Sequence, residues 1–259
     1  MSNKKDKTHY SFLQECRNIF SRHSSLSGFL NEVYYLYKRN GWMLNPTWFF
    51  SDFKDIEIDR PIFLLGPMGG GLTLISRMIR RNKEVVSASG NYKYWSGADE
   101  MQLVYGPILP GELTGIKYKV TPHPKFPTYR GWLYAIEELL EHNRKTKEDA
   151  TLQIEERFKK IIRWTIKRKR LGDDPVRFTD KSQIFTVRVS LINELLKESD
   201  PHFILVTRNP YAMCYAAAFA GKGAITSDTL KSNFTDEERL KLACEHWSNL
   251  MKCALKDSK

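Results

Sequence analysis

Cysteines are few in this sequence and long apolar runs are absent, and each absence argues against a class of protein. Its four cysteines, Cys16, Cys214, Cys244 and Cys253, form no CxxC pair and no zinc-ligand spacing. We therefore expect no disulfide framework and no metal centre, and free thiols favour a reducing compartment. No run reaches the length of a membrane span, and residues 1–10 are polar and lysine-rich, unlike a secretory signal. These features predict a cytoplasmic protein.

The charge balance is strongly basic. Lysine and arginine number 41 against 30 aspartate and glutamate residues, which gives a formal net charge of +11. This excess favours anionic partners, such as nucleotides, sulfated or phosphorylated substrates, nucleic acid or an anionic membrane surface, without choosing among them. The 259 residues suffice for one α/β domain with a full core, which we place at 11–259 after a loose tail at 1–10.

Glycines cluster at one point, between an apolar segment and an amphipathic segment. Residues 62–65 are wholly apolar, as expected of a strand buried on both faces, and residues 66–71 contain four glycines. The next segment has helical spacing, with Leu74, Ile75, Met78 and Ile79 on one side and Arg77, Arg80 and Arg81 on the other. A glycine turn that opens a helix offers backbone N–H groups and the positive end of the helix dipole to an anion. We predict a phosphate or phosphosulfate pocket; the alternative is a tight turn without a ligand.

The same stretch matches a Walker A loop except at its lysine. The spacing Gly66-x4-Gly71-Leu72-Thr73 has leucine where the lysine belongs. A P-loop kinase needs that lysine, and an aspartate that closes an apolar strand, to handle the phosphate and magnesium. Leu72 lacks the charge, and the apolar strand at 202–207 leads into Arg208 instead. A kinase is therefore the weaker enzymatic hypothesis.

Arg208 marks a second candidate anion site. It follows the strand at 202–207 and precedes Asn209 and Pro210, which are favoured at the N-cap and first position of a helix. An arginine beside a helix N-terminus can hold a phosphate with two parallel hydrogen bonds. The alternative role for Arg208 is a structural ion pair.

Further strands and helices alternate along the chain, which predicts a mainly parallel sheet flanked by helices. We predict strands at 85–88 and 177–181, and helices at 132–141, 151–170, 187–197 and from 236 onward. The helix at 151–170 ends in four basic residues, a pattern more typical of a solvated helix end than of a nucleic-acid site. The segments at 90–101 and 106–131, which include Glu100 and His123, are candidate walls of a substrate site.

The two anion motifs resemble those of the sulfotransferase family, whose members use 3′-phosphoadenosine 5′-phosphosulfate. The family's first motif is approximately Gly-x-Pro-Arg-Ser-Gly-Thr-Thr-Leu-Leu, and Gly66–Ile75 aligns with it without a gap. Its second motif, a strand followed by Arg-(Asp/Asn)-Pro and a helix, is similar to Phe203–Ala216, and Asp180–Gln183 resembles the Glu-Lys-(Ser/Thr)-Pro segment of the tyrosylprotein- and heparan-type branch. The resemblance implies a P-loop NTPase-like fold and transfer of a sulfuryl group to a hydroxyl or amine of a small-molecule, glycan or protein acceptor.

The resemblance also implies roles for individual residues. Lys181 would offset the charge on the leaving group. Gly90-Asn91 fills the place of the branch's glutamate, so the resemblance assigns no general base; Glu100 and His123 are candidates from the sequence itself. Residues assigned to the cofactor are Gly69, Gly70, Gly71, Leu72 and Thr73 for the 5′-phosphosulfate, and Arg208 and Ala216 for the 3′-phosphate.

Three departures from the family pattern qualify the predicted activity. Gly69 replaces a basic residue that grips the phosphosulfate, and Ala216 replaces a serine that shares the 3′-phosphate. We also expect a domain without the strand, loop and helix that usually follow in this family. These departures favour weaker cofactor binding, a basic residue borrowed from elsewhere, or an inactive nucleotide-binding or interaction relative.

Overall fold

The fold is built on a four-stranded, all-parallel sheet in the order β2-β3-β1-β4. The computed structural model describes residues 50–67, 69–87, 133–170, 172, 174–219 and 234–258. The strands are β1 (Ile62–Leu65), β2 (Val85–Ser87), β3 (Arg177–Asp180) and β4 (His202–Leu205). The predicted α/β class with a mainly parallel sheet is confirmed, and each predicted strand is found, some of them one or two residues shorter.

Six α-helices lie in the described residues, joined by short 3-10 turns. The helices are α1 (Leu72–Ile79), α2 (Glu137–Asn143), α3 (Leu152–Lys169), α4 (Val189–Leu195), α5 (Pro210–Phe219) and α6 (Asp236–Asp257). The predicted helix at 187–197 is divided, because a 3-10 turn over Gln183–Val187 ends at Arg188, whose φ of −138° breaks the helical path. The predicted helix at 132–141 likewise becomes a 3-10 turn over Leu133–Ala135 followed by α2. No helix in these ranges is long and apolar enough to cross a membrane.

Helices pack on both faces of the sheet. On one face, Leu72 at the start of α1 packs with Ile62 and Leu64 of β1. On the other face, α3 and α4 join the core that contains Phe63 and Phe178. The connection from β1 through α1 to β2 and the connection from β2 through α3 to β3 run in opposite directions across the sheet. Because such crossovers are right-handed, α1 and α3 lie on opposite faces. Because β3, β1 and β4 are adjacent and parallel, the loops that follow them all leave from the carboxyl ends of the strands, at the same edge of the sheet.

A cluster of phenylalanines fills the centre of the larger core. The ring centroid of Phe63 lies 6.2 Å from that of Phe178, 5.9 Å from that of Phe185 and 5.7 Å from that of Phe203. Such offset and edge-to-face pairs add to the free energy gained from burial alone. The predicted helix at 151–170 is found as α3, and an apolar face of this helix is buried in the core, with Phe158, Ile161, Ile162 and Ile166.

The inner face of α1 differs from the prediction. Leu74 and Met78 are 63% and 58% exposed, whereas Leu72 and Ser76 are buried. The face that packs on the sheet begins at Leu72 and continues through positions 75, 76 and 79, of which 75 and 79 are half-buried. This spacing fits one face of a helix as well as the predicted spacing does. The predicted apolar side begins at Leu74 and leaves Leu72 out, and including Leu72 rotates the buried face by about one residue.

The basic end of α3 is engaged within the protein. The Nζ of Lys167 lies 5.4 Å from the ring centroid of Phe53, and the guanidinium of Arg168 lies 4.8 Å from that of Trp164. Burial lowers the pKa of Lys169, with the charges of Arg168 and Arg80 acting in the same direction. These contacts, together with the favourable position of cations at a helix C-terminus, give the basic run a structural role within the fold.

Helix α6 fixes the 3-10 turn at 133–135 through the backbone of Tyr134. The Tyr134 N–H donates to Nδ1 of His246 at 3.1 Å, and Nδ2 of Asn249 donates to the Tyr134 carbonyl at 2.9 Å. The Tyr134 and His246 rings stack with centroids 5.0 Å apart. Because Nδ1 accepts this hydrogen bond, it carries no proton and His246 is neutral in the fold; burial lowers its pKa to about 4.

We expect acidification between pH 6.5 and about 4 to destabilise the protein through His246. In this range the unfolded state binds a proton that the folded state excludes, so the free energy of unfolding falls by up to about 1.4 kcal/mol per pH unit from this group. Urea unfolding of the protein and of His246→Gln across this range measures the effect. The variant should be less stable at neutral pH but show a flatter pH dependence; equal slopes would contradict the assignment.

Candidate anion-binding site

The predicted glycine turn begins at Gly66, immediately after β1, and a distant threonine holds its first residue. Thr186 Oγ1 accepts a hydrogen bond from the Gly66 N–H at 2.9 Å and lies 3.4 Å from the Gly66 carbonyl oxygen. A Cβ added to Gly66, whose φ is +146°, would overlap the carbonyl oxygen of Val206. The start of the turn is therefore a position that only glycine fits.

The rest of the turn leads into the N-terminus of α1. The Gly70 N–H donates to the Pro67 carbonyl at 3.0 Å, and Gly71 at φ +99° is the N-cap of the helix. Within the described residues, the N–H groups of Gly71, Leu72 and Thr73 have no hydrogen-bond acceptor, as expected for the first turn of a helix without a side-chain cap. These amides can receive an anion, whereas Gly70, which we also assigned to the cofactor, uses its N–H inside the turn.

An open cleft of about 410 Å³ adjoins the turn and brings together residues from two neighbouring strands. Strand β3 pairs with β1 in register Phe63↔Asp180, so the residues that follow both strands meet at the same edge. Five predicted site residues line the cleft: Gly69, Gly71, Leu72, Thr73 and Lys181. The other lining residues are Leu74, Arg77 and Gln183.

Lys181 reaches this cleft from the end of β3. It is 3% exposed and lies between Asp180 and Ser182, which are also buried. The Ser182 N–H donates to Oδ1 of Asp180 at 2.7 Å, a local turn that directs the chain away from the strand. A buried ammonium has little water around it, so its attraction to an anion in the cleft is stronger than that of a surface lysine.

Arg208 follows the carboxyl end of β4, the strand that pairs with β1 on the side opposite β3. Val206 donates its N–H to the Leu65 carbonyl at 2.8 Å, and Arg208 follows two residues later. Oδ1 of Asn209 accepts from the Ala212 N–H at 3.1 Å, which confirms the predicted N-cap. Arg208 is exposed and has no side-chain partner within the described residues, so the alternative of a structural ion pair finds no support there. It does not line the cleft, and Ala216 lies half-buried on α5, where its methyl group offers no hydrogen bond.

The two candidate general bases lie outside the described residues. Glu100 and His123 both fall in the range 88–132, as do the predicted substrate walls. Their roles stay predictions.

Two polar residues that line the cleft, Arg77 and Gln183, are not among the site residues predicted from the sequence. Arg77 was placed only on the side of α1 opposite the apolar stripe, yet it lines the cleft one helical turn after Thr73. The spacing of four residues from Thr73 could have indicated this, because such positions share a helix face. Gln183 replaces the proline of the family segment, and its amide can donate to an anion.

The charges that line the cleft have one sign. Among its described lining residues, Arg77 and Lys181 are cationic and none is acidic. The N-terminus of α1 adds the equivalent of about half a positive charge. The site is therefore complementary to a small oxyanion such as a phosphate or sulfate group.

Comparisons of this chain with protein-family models, curated proteins and solved structures found no match. Any assignment of function must therefore rest on the cleft, on its charges and on the resemblance of short motifs. The strongest of these is the meeting of the glycine turn with Lys181.

Proposed function

We propose that this protein is a sulfotransferase that moves a sulfuryl group from 3′-phosphoadenosine 5′-phosphosulfate to a hydroxyl or amine. The observation that carries the proposal is the cationic cleft in which Gly69–Thr73 and Lys181 meet. These residues belong to two separate segments that resemble the family, 108 residues apart when counted from Thr73 to Lys181. Their shared cleft supports a common role in binding the phosphosulfate.

The chain's own residues would act on charge during transfer. The acceptor oxygen or nitrogen forms a bond to sulfur while the bond from sulfur to the bridging oxygen breaks, and negative charge grows on the departing 5′-phosphate. The N–H groups of Leu72 and Thr73 and the ammonium of Lys181 would stabilise that charge, much as fixed donors do in phosphoryl transfer. The acceptor's proton must pass to a general base, for which Glu100 and His123 are the candidates.

Arg208 would bind the second anionic group of the ligand, the 3′-phosphate. Its strand β4 pairs with β1 through the register Leu65↔Leu205, which places the two motifs on adjacent strand ends. Ligands of open α/β sheets bind outside the carboxyl ends of the strands, where these motifs lie. Ala216 contributes no hydroxyl, so the 3′-phosphate contact would depend mainly on Arg208.

Two other functions make different predictions. An inactive nucleotide-binding relative is favoured by Gly69 and Ala216, since neither offers a polar side chain to the ligand. A kinase is favoured by Asp180, a buried aspartate at the end of β3, the strand that pairs with β1. Leu72 at the lysine position opposes the kinase.

Calorimetric titration with adenosine 3′,5′-bisphosphate tests the proposal. We expect binding that is tighter than that of ATP, with or without magnesium. Arg208→Ala should weaken it by about 10- to 100-fold, because a hydrogen bond to a charged group contributes about 1.5–3 kcal/mol. The same variant should bind adenosine 5′-monophosphate, which lacks the 3′-phosphate, as well as the unaltered protein does.

Each result separates the candidate functions. Equal, weak responses to the bisphosphate and ATP would overturn the sulfotransferase proposal, and a preference for ATP with magnesium would favour the kinase. Selective bisphosphate binding without sulfuryl transfer to any of a panel of phenols, sugars, amines and tyrosine peptides would favour the inactive relative.

A further inference from the structure

Arg77 lies at the cleft with no other described role. It follows Thr73 by one turn of α1, and both residues line the cleft with Lys181. Arg77 is exposed and makes no hydrogen bond or ion pair within the described residues. A guanidinium stays charged at any relevant pH and can bind two oxygens of one anion through parallel N–H groups.

Without Arg77, the positive charge of the cleft is smaller than the negative charge of the proposed ligand. A phosphosulfate group carries two negative charges at neutral pH, one on each tetrahedral centre. Lys181 supplies one positive charge, and the N-terminus of α1 supplies the equivalent of about one half. Gly69, at the position of the family's basic residue, supplies none, so about half a negative charge of the ligand is left unbalanced, which one further cation would cover.

We infer that Arg77 is an anion-binding residue of this cleft, which provides from the helix the positive charge that Gly69 does not provide from the loop. The inference rests on the proposed function for the identity of the phosphosulfate, but it extends to any oxyanion of similar size. Because Arg77 is exposed, water remains near its guanidinium, and its effect should be smaller than that of the buried Lys181.

The test compares Arg77→Ala with Arg81→Ala by calorimetry. Inorganic pyrophosphate is the first probe, since it joins two tetrahedral anions through an oxygen as phosphosulfate does, and adenosine 3′,5′-bisphosphate is the second. Arg81 is a matched control, because it is an exposed arginine just beyond the same helix and does not line the cleft. We expect Arg77→Ala to bind pyrophosphate about tenfold more weakly, Arg77→Lys to fall between, and Arg81→Ala to match the unaltered protein.

The outcomes distinguish the inference from the proposed function. If Arg77→Ala binds pyrophosphate as well as Arg81→Ala does, or if the unaltered protein binds no pyrophosphate, the role of Arg77 is overturned. If Arg77→Ala alone loses pyrophosphate affinity while the bisphosphate is not preferred over ATP, Arg77 is an anion-binding residue and the sulfotransferase proposal fails. Urea unfolding should show equal stability for both alanine variants, which excludes a folding defect as the cause.

Discussion

Replacing Gly66 with alanine should destabilise the protein by about 2–5 kcal/mol and remove anion binding at the cleft. The new Cβ would overlap the carbonyl oxygen of Val206. That carbonyl cannot easily move, because the Val206 N–H is bonded to Leu65 at 2.8 Å and continues the pairing of β1 with β4. Moving the Gly66 backbone instead would break its hydrogen bond to the buried hydroxyl of Thr186. Either adjustment disturbs the turn that presents the amides of α1.

Other glycines provide controls that separate overlap from backbone strain. Gly69 and Gly172 have φ of +82° and +76°, and a Cβ at either position would meet nothing within 4 Å. Alanine there should cost only the left-handed backbone penalty, about 1–2 kcal/mol. Gly172 is also remote from the turn in sequence and does not line the cleft. Urea unfolding of the three variants measures the difference, and a Gly66→Ala protein no less stable than Gly172→Ala would contradict the explanation.

Local sequence signals predicted the elements that carry the site. A buried strand, a glycine turn and a helix follow one another at 62–79, and the Asn209 cap begins α5 as expected. These features depend on residues within a few positions of each other, where apolar periodicity and capping chemistry act directly. Only the resemblance predicts that Gly69–Thr73 and Lys181 lie close together, because no local sequence pattern determines the order of the strands in a sheet.

The missed features depend on contacts between distant segments. The hydrogen bond from the Gly66 N–H to Thr186 joins residues 120 positions apart. Nothing in the sequence around Thr186 distinguishes it from any other threonine of a short turn. The rotation of α1, which exposes Leu74 and turns Arg77 to the cleft, follows from the burial of Leu72 against β1. The sequence predicts for Leu72 a place at the lysine position of a Walker A loop and a backbone contact to the cofactor, whereas in the structure its side chain anchors the helix against β1.

The departures from the family motif therefore have different consequences for the site. Leu72 and the glycines preserve the backbone that presents the free amides, and the loss of a side chain at Gly69 leaves open space next to the cleft. The positive charge of the site comes from β3 and α1 rather than from the loop. We therefore expect the charge of the cleft to depend on the buried Lys181, and the presentation of its backbone amides to depend on the glycine turn.

Replacing Lys181 with methionine should weaken binding of adenosine 3′,5′-bisphosphate by roughly a hundredfold, which corresponds to about 2.7 kcal/mol. Methionine keeps the unbranched apolar stem and removes the ammonium, so the loss reports the charge in the cleft. Because the Lys181 side chain is 3% exposed, we expect no water molecule to take the place of the lost ammonium as a partner for the anion. If sulfuryl transfer is observed, its rate should fall by a further factor, since the charge on the departing phosphate grows in the transition state.

Lys159→Met is the matched control for this prediction. Lys159 of α3 is also buried, at 8% exposure, but its ammonium pairs with Glu155 of the same helix at 2.5 Å and with Glu198, which lies outside α3, at 3.2 Å, and it does not line the cleft. Its replacement should alter stability, because it leaves two carboxylates without their cation, and should leave bisphosphate affinity unchanged. Calorimetry and urea unfolding on both variants separate the two effects. If Lys181→Met retains full affinity, or if both variants lose affinity in proportion to lost stability, then Lys181 is a structural lysine and the cleft is not the anion site.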